Sequence, residues 1–108
     1  MIFEYLKLNM DIDDNTFNEI YPEHIKALSQ RHWTPVDVAK MAAKYLVDDT
    51  DRKVLDIGSG AGKFCLVGAA PTDGIFYGVE QRASLTKISK KIADKHNISN
   101  VDFINLNI

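Results

Sequence analysis

Residues 54–62 read VLDIGSGAG, and they contain the strongest structural signal of the sequence. Its first four residues, preceded by Lys53, form a short run that is apolar on both faces, which predicts a strand buried on both faces inside a parallel sheet. Three alternate glycines then predict a sharp turn, because glycine adopts unusual dihedrals and lets a ligand approach the backbone. A helix follows from Lys63, and its first N–H groups suit an anionic part of such a ligand. The stretch therefore predicts a strand, a turn and a helix around a small molecule.

The elements after this unit continue to alternate. We predict a helix over residues 63–70, ended by Pro71, a second strand over residues 75–80 and a third over residues 101–106. The helix between the last two strands has an apolar stripe of Leu85, Ile88, Ile92 and Ala93. Such alternation predicts an α/β fold with an open parallel sheet and right-handed crossovers.

Another helix precedes the first strand. Thr34 suits its N-cap, Pro35 its first helical position and Asp37 its first turn. Helical spacing predicts one apolar face that packs on the rest of the protein, formed by Val38, Met41, Ala42, Tyr45 and Leu46.

Residues 1–30 are a polar, acidic segment with scattered apolar positions. The spacing of Phe17, Ile20, Ile25 and Leu28 predicts short helices, interrupted near Pro22. We therefore divide the chain into a helical N-terminal leader, residues 1–30, and a ligand-binding domain, residues 31–108.

Length, composition and charge narrow the class of protein. The chain has 108 residues, 45% of them hydrophobic and 26% charged, which is typical of one folded domain. A formal net charge of -2 gives no general attraction to nucleic acid. No run is long and apolar enough for a membrane span, and the single Cys65 cannot form an internal disulfide, which favours a cytoplasmic location.

Local clusters of basic and metal-binding residue types are weak signals. The third helix of the α/β region carries Arg82, Lys87, Lys90, Lys91 and Lys95, which we interpret as a solvated face rather than a nucleic-acid contact. The spacing of His24, His32 and Cys65 does not suit a metal, so we predict no metal site.

The glycine turn admits several interpretations. A phosphate-binding P-loop is excluded, because Ile57 and Phe64 stand where that motif needs glycine and Ser or Thr. A dinucleotide fingerprint needs a small residue where this chain has Lys63, so binding of NAD or FAD is a less favoured alternative. A tight turn without any ligand is the remaining alternative.

Asp56, Gly58, Gly60 and Gly62 all match one known pattern, an acidic residue followed by G-x-G-x-G. This pattern resembles the first motif of class I S-adenosylmethionine-dependent methyltransferases. The resemblance implies S-adenosyl-L-methionine as cofactor and a three-layer Rossmann-like parallel sheet, which this chain follows as far as the third strand. It also implies that the glycine loop, with Ser59, lies against the methionine part and that Asp56 holds the charged amino end.

The resemblance extends to the ends of the second and third strands. Glu80 ends the second strand, where an acidic residue of the family accepts hydrogen bonds from the ribose hydroxyls. Gln81 follows it and is expected beside the adenosine. Asn107 follows the third strand, and its side-chain oxygen suits the adenine amino group.

The segment at residues 31–35 resembles the part of the family that folds over the cofactor. Thr34 is a candidate contact of the methionine carboxylate, and Trp33 a candidate cover of the site. The alternative, which we favour, is that Trp33 anchors the leader and Thr34 only caps its helix.

The resemblance covers residues 33–108 and leaves out the later strands, which carry substrate-positioning residues in the family. Residues 31–108 are thus predicted to be a partial S-adenosylmethionine-binding methyltransferase domain with unknown methyl acceptor and catalytic residues. A non-catalytic cofactor-binding or assembly half-domain is the alternative, and we expect weak or no turnover by the chain alone. Because the implied strand order leaves the first strand as an open edge, we expect self-association or a partner chain near Val54 to Ile57.

Overall fold

The three strands of the described chain form one parallel sheet. The computed structural model describes residues 2–28, 33–47 and 52–107. In it the strands are β1 (Lys53–Ile57), β2 (Ile75–Glu80) and β3 (Val101–Asn105). Their order is β1-β2-β3, so β2 is central and β1 pairs on one side only within the described residues. This sheet confirms the predicted Rossmann-like α/β fold, with β3 one residue shorter than predicted.

Helices alternate with the strands, as the sequence predicts. In chain order the described residues form α1 (Ile2–Lys7), α2 (Asp14–Asn18), α3 (Glu23–Lys26), α4 (Val36–Leu46), α5 (Lys63–Ala69) and α6 (Ala83–Lys95). α5 connects β1 to β2 and α6 connects β2 to β3, which confirms the predicted crossover helices, while their right-handedness stays a prediction. None of these helices is long and apolar enough to cross a membrane.

The leader consists of short helices that pack onto the α/β region. Pro22 is the N-cap of α3, as the sequence predicts for a break between two helices. Phe3 and Phe17 are buried in the same hydrophobic cluster as Phe76 of β2, and the Phe3 ring lies 4.7 Å from the ring of His96. The division of the chain at residues 30 and 31 stays a prediction, since both residues lie outside the described part.

The helices α5 and α6 cover one face of the sheet. A side chain added at Gly68 of α5 would meet the ring of Phe76 at 2.6 Å, so this helix lies directly on the sheet. On the opposite face Leu55 and Ile57 are 60% and 64% exposed. The expectation that β1 is buried on both faces is therefore wrong, because no described helix covers the side to which these residues point.

The buried face of α4 differs from the predicted one. Val38, Met41 and Tyr45 are 52%, 74% and 87% exposed, and Leu46 is exposed as well. The fully buried residues are instead Val36, Ala39 and Ala43. Small side chains allow α4 to approach α5 closely: the Cβ atom of Ala43 lies 2.9 Å from the position that a Cβ atom on Gly68 would take.

The start of α4 also differs from the prediction. Pro35, not Thr34, is the N-cap residue, and the helix begins at Val36. The N–H group of Val36 donates a hydrogen bond of 2.8 Å to Oδ1 of Asp14, which belongs to the leader. A leader carboxylate thus satisfies a helix N–H group that the sequence assigned to a local cap.

Candidate functional site

The glycine loop between β1 and α5 has the conformation that its sequence predicts. Gly58, Gly60 and Gly62 have φ angles of +78°, +58° and +83°, in the left-handed region that favours glycine. The N–H groups of Gly58 and Ser59 donate to the carbonyl oxygen of Val79 at 2.7 and 3.0 Å. The loop is therefore tied to the carboxyl end of β2.

The three glycines have different surroundings. A Cβ atom on Gly58 or Gly60 would meet no other atom within 4 Å, so both face open space. A Cβ atom on Gly62 would instead lie 2.7 Å from Oγ of Ser89 and 2.8 Å from the ring of Phe103. Gly58 and Gly60 leave room for a ligand, whereas Gly62 allows α5, α6 and the sheet to pack together.

A cleft of about 350 Å³ opens at this loop. Five of the cofactor-binding residues predicted from the sequence line the cleft: Asp56, Gly58, Ser59, Gly60 and Thr34. Its wall also includes Trp33, Lys63 and Arg82. The volume lies within the range of roughly 300–1,000 Å³ that is usual for small-molecule sites.

Glu80 lies beneath the loop, with 3% of its surface exposed. Its Oε1 accepts a hydrogen bond from the N–H of Gly60 at 2.9 Å, and its Oε2 accepts from N–H and Nε of Arg82 at 2.8 and 2.9 Å. The hydrogen bond from the Arg82 side chain, followed by those from the two backbone N–H groups, lowers the pKa of Glu80 against the effect of burial. Glu80 is therefore an ionised carboxylate that already joins the glycine loop to the end of β2.

Asp56 and Cys65 form a second, partly buried polar contact at the cleft. Sγ of Cys65 lies 3.9 Å from Oδ2 of Asp56, and the cysteine side chain is fully buried. Burial raises the pKa of Asp56, although its contact with Cys65 opposes the shift. Burial also raises the pKa of Cys65, as does the charge of Asp56, so the thiol is neutral at physiological pH.

Lys63 and Asp14 belong to the site although the sequence did not single them out for it. Nζ of Lys63 donates a hydrogen bond of 2.6 Å to Oδ1 of Asp14, and Lys63 is 5% exposed. Burial alone would raise the pKa of Asp14, but the hydrogen bonds from Lys63 and Val36, with the charge of Lys63, lower it. These residues are 49 positions apart in the chain, so no local sequence signal could reveal the pair.

Trp33 lines the cleft and also contacts the leader. Its ring centroid lies 4.6 Å from that of Tyr21, whose hydroxyl donates a hydrogen bond of 2.8 Å to the carbonyl oxygen of Ala61 in the glycine loop. Trp33 thus lies both at the cleft and against the leader, the two positions that the sequence suggests for it. Arg31 and His32, the first residues of the predicted covering segment, lie outside the described part.

Gln81 and Asn107 lie at the carboxyl edge of the sheet, outside the lining of the cleft. Both are exposed. The amide of Asn105 donates to the carbonyl oxygens of Glu80 and Gln81 at 2.9 and 3.1 Å, and thereby holds β3 to the end of β2. The assignment of Gln81 and Asn107 to the adenosine stays a prediction.

Within the described residues, no cluster of three or more His, Cys, Asp or Glu residues is arranged to hold a metal ion.

The sequence matches one family model. This family is described as a methyltransferase domain, and the match covers residues 48–108, more than half of the chain. No curated protein matches the chain.

Solved structures share the fold of the described chain. YcgJ from Bacillus subtilis has a TM-score of 0.58 and 22% identity, over 66% of this chain and 30% of that one. A putative S-adenosyl-L-methionine-dependent methyltransferase from Methanococcus maripaludis has a TM-score of 0.59 and 15% identity, over 79% and 40%. Coclaurine N-methyltransferase, solved with N-methylheliamine and SAH, has a TM-score of 0.57 and 20% identity, over 67% and 20%. This chain therefore spans well under half the length of these proteins.

Proposed function

Because the chain belongs to the class I S-adenosylmethionine-dependent methyltransferases, we propose that its cleft binds S-adenosylmethionine and S-adenosylhomocysteine. In this proposal the chain is the cofactor-binding part of a methyltransferase, and its methyl acceptor is not assigned. The observation that carries the proposal is the pair Gly58 and Gly60, which face open space in a cleft that is also lined by the carboxylate residue Asp56.

The residues around the loop fit the chemistry of this cofactor. Asp56 lines the cleft and offers a carboxylate to the ammonium group of the methionine part. Ser59 lines the cleft, but its Oγ is buried against Gly78 and has no hydrogen-bond partner among the described residues, so its side chain must turn before the hydroxyl can contact a ligand. When bound, the cofactor supplies a sulfonium-activated methyl group, and the protein's contribution is to hold and orient it.

Glu80 is the candidate partner of the ribose hydroxyls, and Arg82 controls access to it. Three donors already occupy the carboxylate, one of them Nε of Arg82 at 2.9 Å. The side chain of Arg82 is 58% exposed and lines the cleft, so it has room to turn away. We propose that this side chain releases Oε2 when a ribose binds, while Gly60 and the Arg82 backbone keep Glu80 in place.

Calorimetric titration of the purified chain tests the proposed cofactor. We expect S-adenosylhomocysteine and S-adenosylmethionine to bind more tightly than NAD, because the cleft offers Asp56 to an ammonium group and has the long side chain of Lys63 where a dinucleotide site needs a small one. Tighter binding of NAD, or binding of none of the three ligands, would contradict the proposal.

We also propose that the open edge of β1 pairs with a second copy of this chain. Within the described residues β1 is hydrogen-bonded on one side only, and Leu55 and Ile57 are exposed beside that edge. Leu46 of α4, 44% exposed, lines the same cleft as Leu55 and extends the apolar surface. An unpaired apolar strand edge favours association.

Sedimentation velocity tests this association. We expect the chain to form dimers or larger oligomers, and Leu55→Lys to shift it toward the monomer. Leu8→Lys is the matched control, because Leu8 is 72% exposed but lies in the leader. A monomer at high concentration, or pairing only with a different polypeptide, would contradict self-association.

We further propose a cytoplasmic location. Cys65, the only cysteine of the chain, is buried and free, so the fold has no internal disulfide. Recovery of the native protein in the cytoplasmic fraction of its cell is the expected result, and recovery only from a secreted or envelope fraction would contradict it.

A further inference from the structure

Lys63 is a buried cation in the wall of the cleft. It is 5% exposed, and its Nζ makes one hydrogen bond to the described residues, to Oδ1 of Asp14 at 2.6 Å. An ammonium group has three donors, so two have no acceptor among the described residues. Buried charged donors are costly when unsatisfied, so an acceptor group of a ligand in the cleft would stabilise this ammonium group.

The leader restricts where this ammonium group can point. Oδ1 of Asp14 is itself held by the N–H of Val36 at 2.8 Å, at the start of α4. The ring centroids of Phe17 and Trp33 lie 5.6 and 5.7 Å from Nζ, at cation–π distance. Lys63 is therefore fixed by contacts from outside the glycine loop.

The cleft thus carries groups of opposite charge on either side of the glycine loop. Asp56 precedes the first glycine of the loop and Lys63 follows the last, and both line the cleft. Thr34 adds a hydroxyl to the same lining. A ligand that ends in both an ammonium and a carboxylate group, as a free α-amino acid does, complements this pair.

We propose that Lys63 binds the carboxylate of the amino-acid end of the ligand, while Asp56 binds its ammonium group. This inference rests on the proposed function, because it assigns one part of the same cofactor. It differs from the sequence-based interpretation, in which Thr34 is the candidate contact of the carboxylate and a purely capping role for Thr34 is favoured. It also makes the leader part of the site, since Asp14 holds Lys63 in place.

The test compares two ligands, of which only one has the amino-acid end. S-adenosylhomocysteine carries the amino-acid group, and 5′-methylthioadenosine lacks it. For Lys63→Met we expect the Kd of S-adenosylhomocysteine to rise about tenfold or more, since a charge-assisted hydrogen bond is lost, and the Kd of methylthioadenosine to stay unchanged. Lys40→Met is the matched control, because Lys40 also pairs with the leader, through Met10 and Asp11, but lies outside the cleft lining.

The outcomes separate this inference from the proposed function. If Lys63→Met weakens both ligands equally, or neither, the inference is overturned and Lys63 is only structural. If the wild-type chain binds neither ligand, the proposed function itself fails. If Lys63→Met does not fold, the binding of decarboxylated S-adenosylhomocysteine to the wild-type chain tests the inference instead. This ligand keeps the ammonium group and lacks the carboxylate. We expect it to bind about tenfold more weakly than S-adenosylhomocysteine, and equal affinity would overturn the inference.

Discussion

The N–H group of Gly60 donates a hydrogen bond of 2.9 Å to Oε1 of Glu80, so the glycine loop after β1 is held by the last residue of β2. Glu80 also accepts two hydrogen bonds from Arg82 and is almost fully buried. One carboxylate therefore organises the loop at the cleft and is the candidate partner of the ribose.

Replacing Glu80 should destabilise the fold. In Glu80→Ala the N–H groups of Gly60 and Arg82 lose their acceptor, and an unsatisfied buried donor costs about 1–3 kcal/mol. We expect urea denaturation to show a free energy of unfolding lower by about 2 kcal/mol or more. Glu23→Ala is the control, because the Glu23 side chain is 90% exposed. Equal stability of the two variants would refute this role of Glu80.

The charge of Glu80 should make stability depend on pH. Its pKa in the folded chain lies below the ordinary value of 4.5, mainly because of the Arg82 side chain. The stabilisation is therefore present above that ordinary value and is lost as the pH falls through the lower, folded-state pKa. We expect the stability difference between wild type and Glu80→Gln to shrink between pH 6 and pH 3 in denaturation experiments. A difference that is constant or grows toward pH 3 would contradict the assignment.

The loop glycines should respond differently to alanine. Both Gly60→Ala and Gly62→Ala force a residue with a side chain into a left-handed conformation, at about 1 kcal/mol. Only the second also drives a methyl group against Ser89 and Phe103, and overpacking costs a further ~1–3 kcal/mol. We expect Gly62→Ala to have the lower Tm of the two variants. We expect folded Gly60→Ala to bind S-adenosylhomocysteine more weakly than folded Gly62→Ala does. Indistinguishable Tm values would argue against the packing role of Gly62.

Cys65 should be unreactive in the folded protein. The thiol is fully buried and its pKa is raised by burial, whereas thiolates are the reactive form. We expect a thiol reagent such as dithionitrobenzoate to label the native chain far more slowly than the chain in denaturant. Labelling of the native chain at the rate of a free thiol would contradict the burial of Cys65.

Short-range patterns of the sequence predict the sheet and the glycine loop well. The strands β1 and β2 begin and end at the predicted residues, because apolar runs bounded by glycine and charged residues leave few alternatives. The left-handed conformations of Gly58, Gly60 and Gly62 follow from their alternation. These features depend on residues that are close together in the chain.

Packing between distant elements could not be predicted in the same way. The larger side chains of α4 suggested a buried face that includes Met41 and Tyr45, but the helix packs through Ala39 and Ala43, whose small size allows close approach to α5. The hydrogen bond between Lys63 and Asp14 likewise joins residues that are remote in sequence. Such contacts depend on tertiary arrangement rather than on a local pattern.

We propose that a cofactor with an adenosine and an amino-acid end binds at the glycine loop. The most direct test is an NMR titration of the ¹⁵N-labelled chain with S-adenosylhomocysteine. We expect the largest shift changes at the amides of Gly58, Ser59, Gly60 and Arg82, and little change along α1. Saturable binding that leaves the loop amides unchanged, or the absence of any shift change, would contradict it.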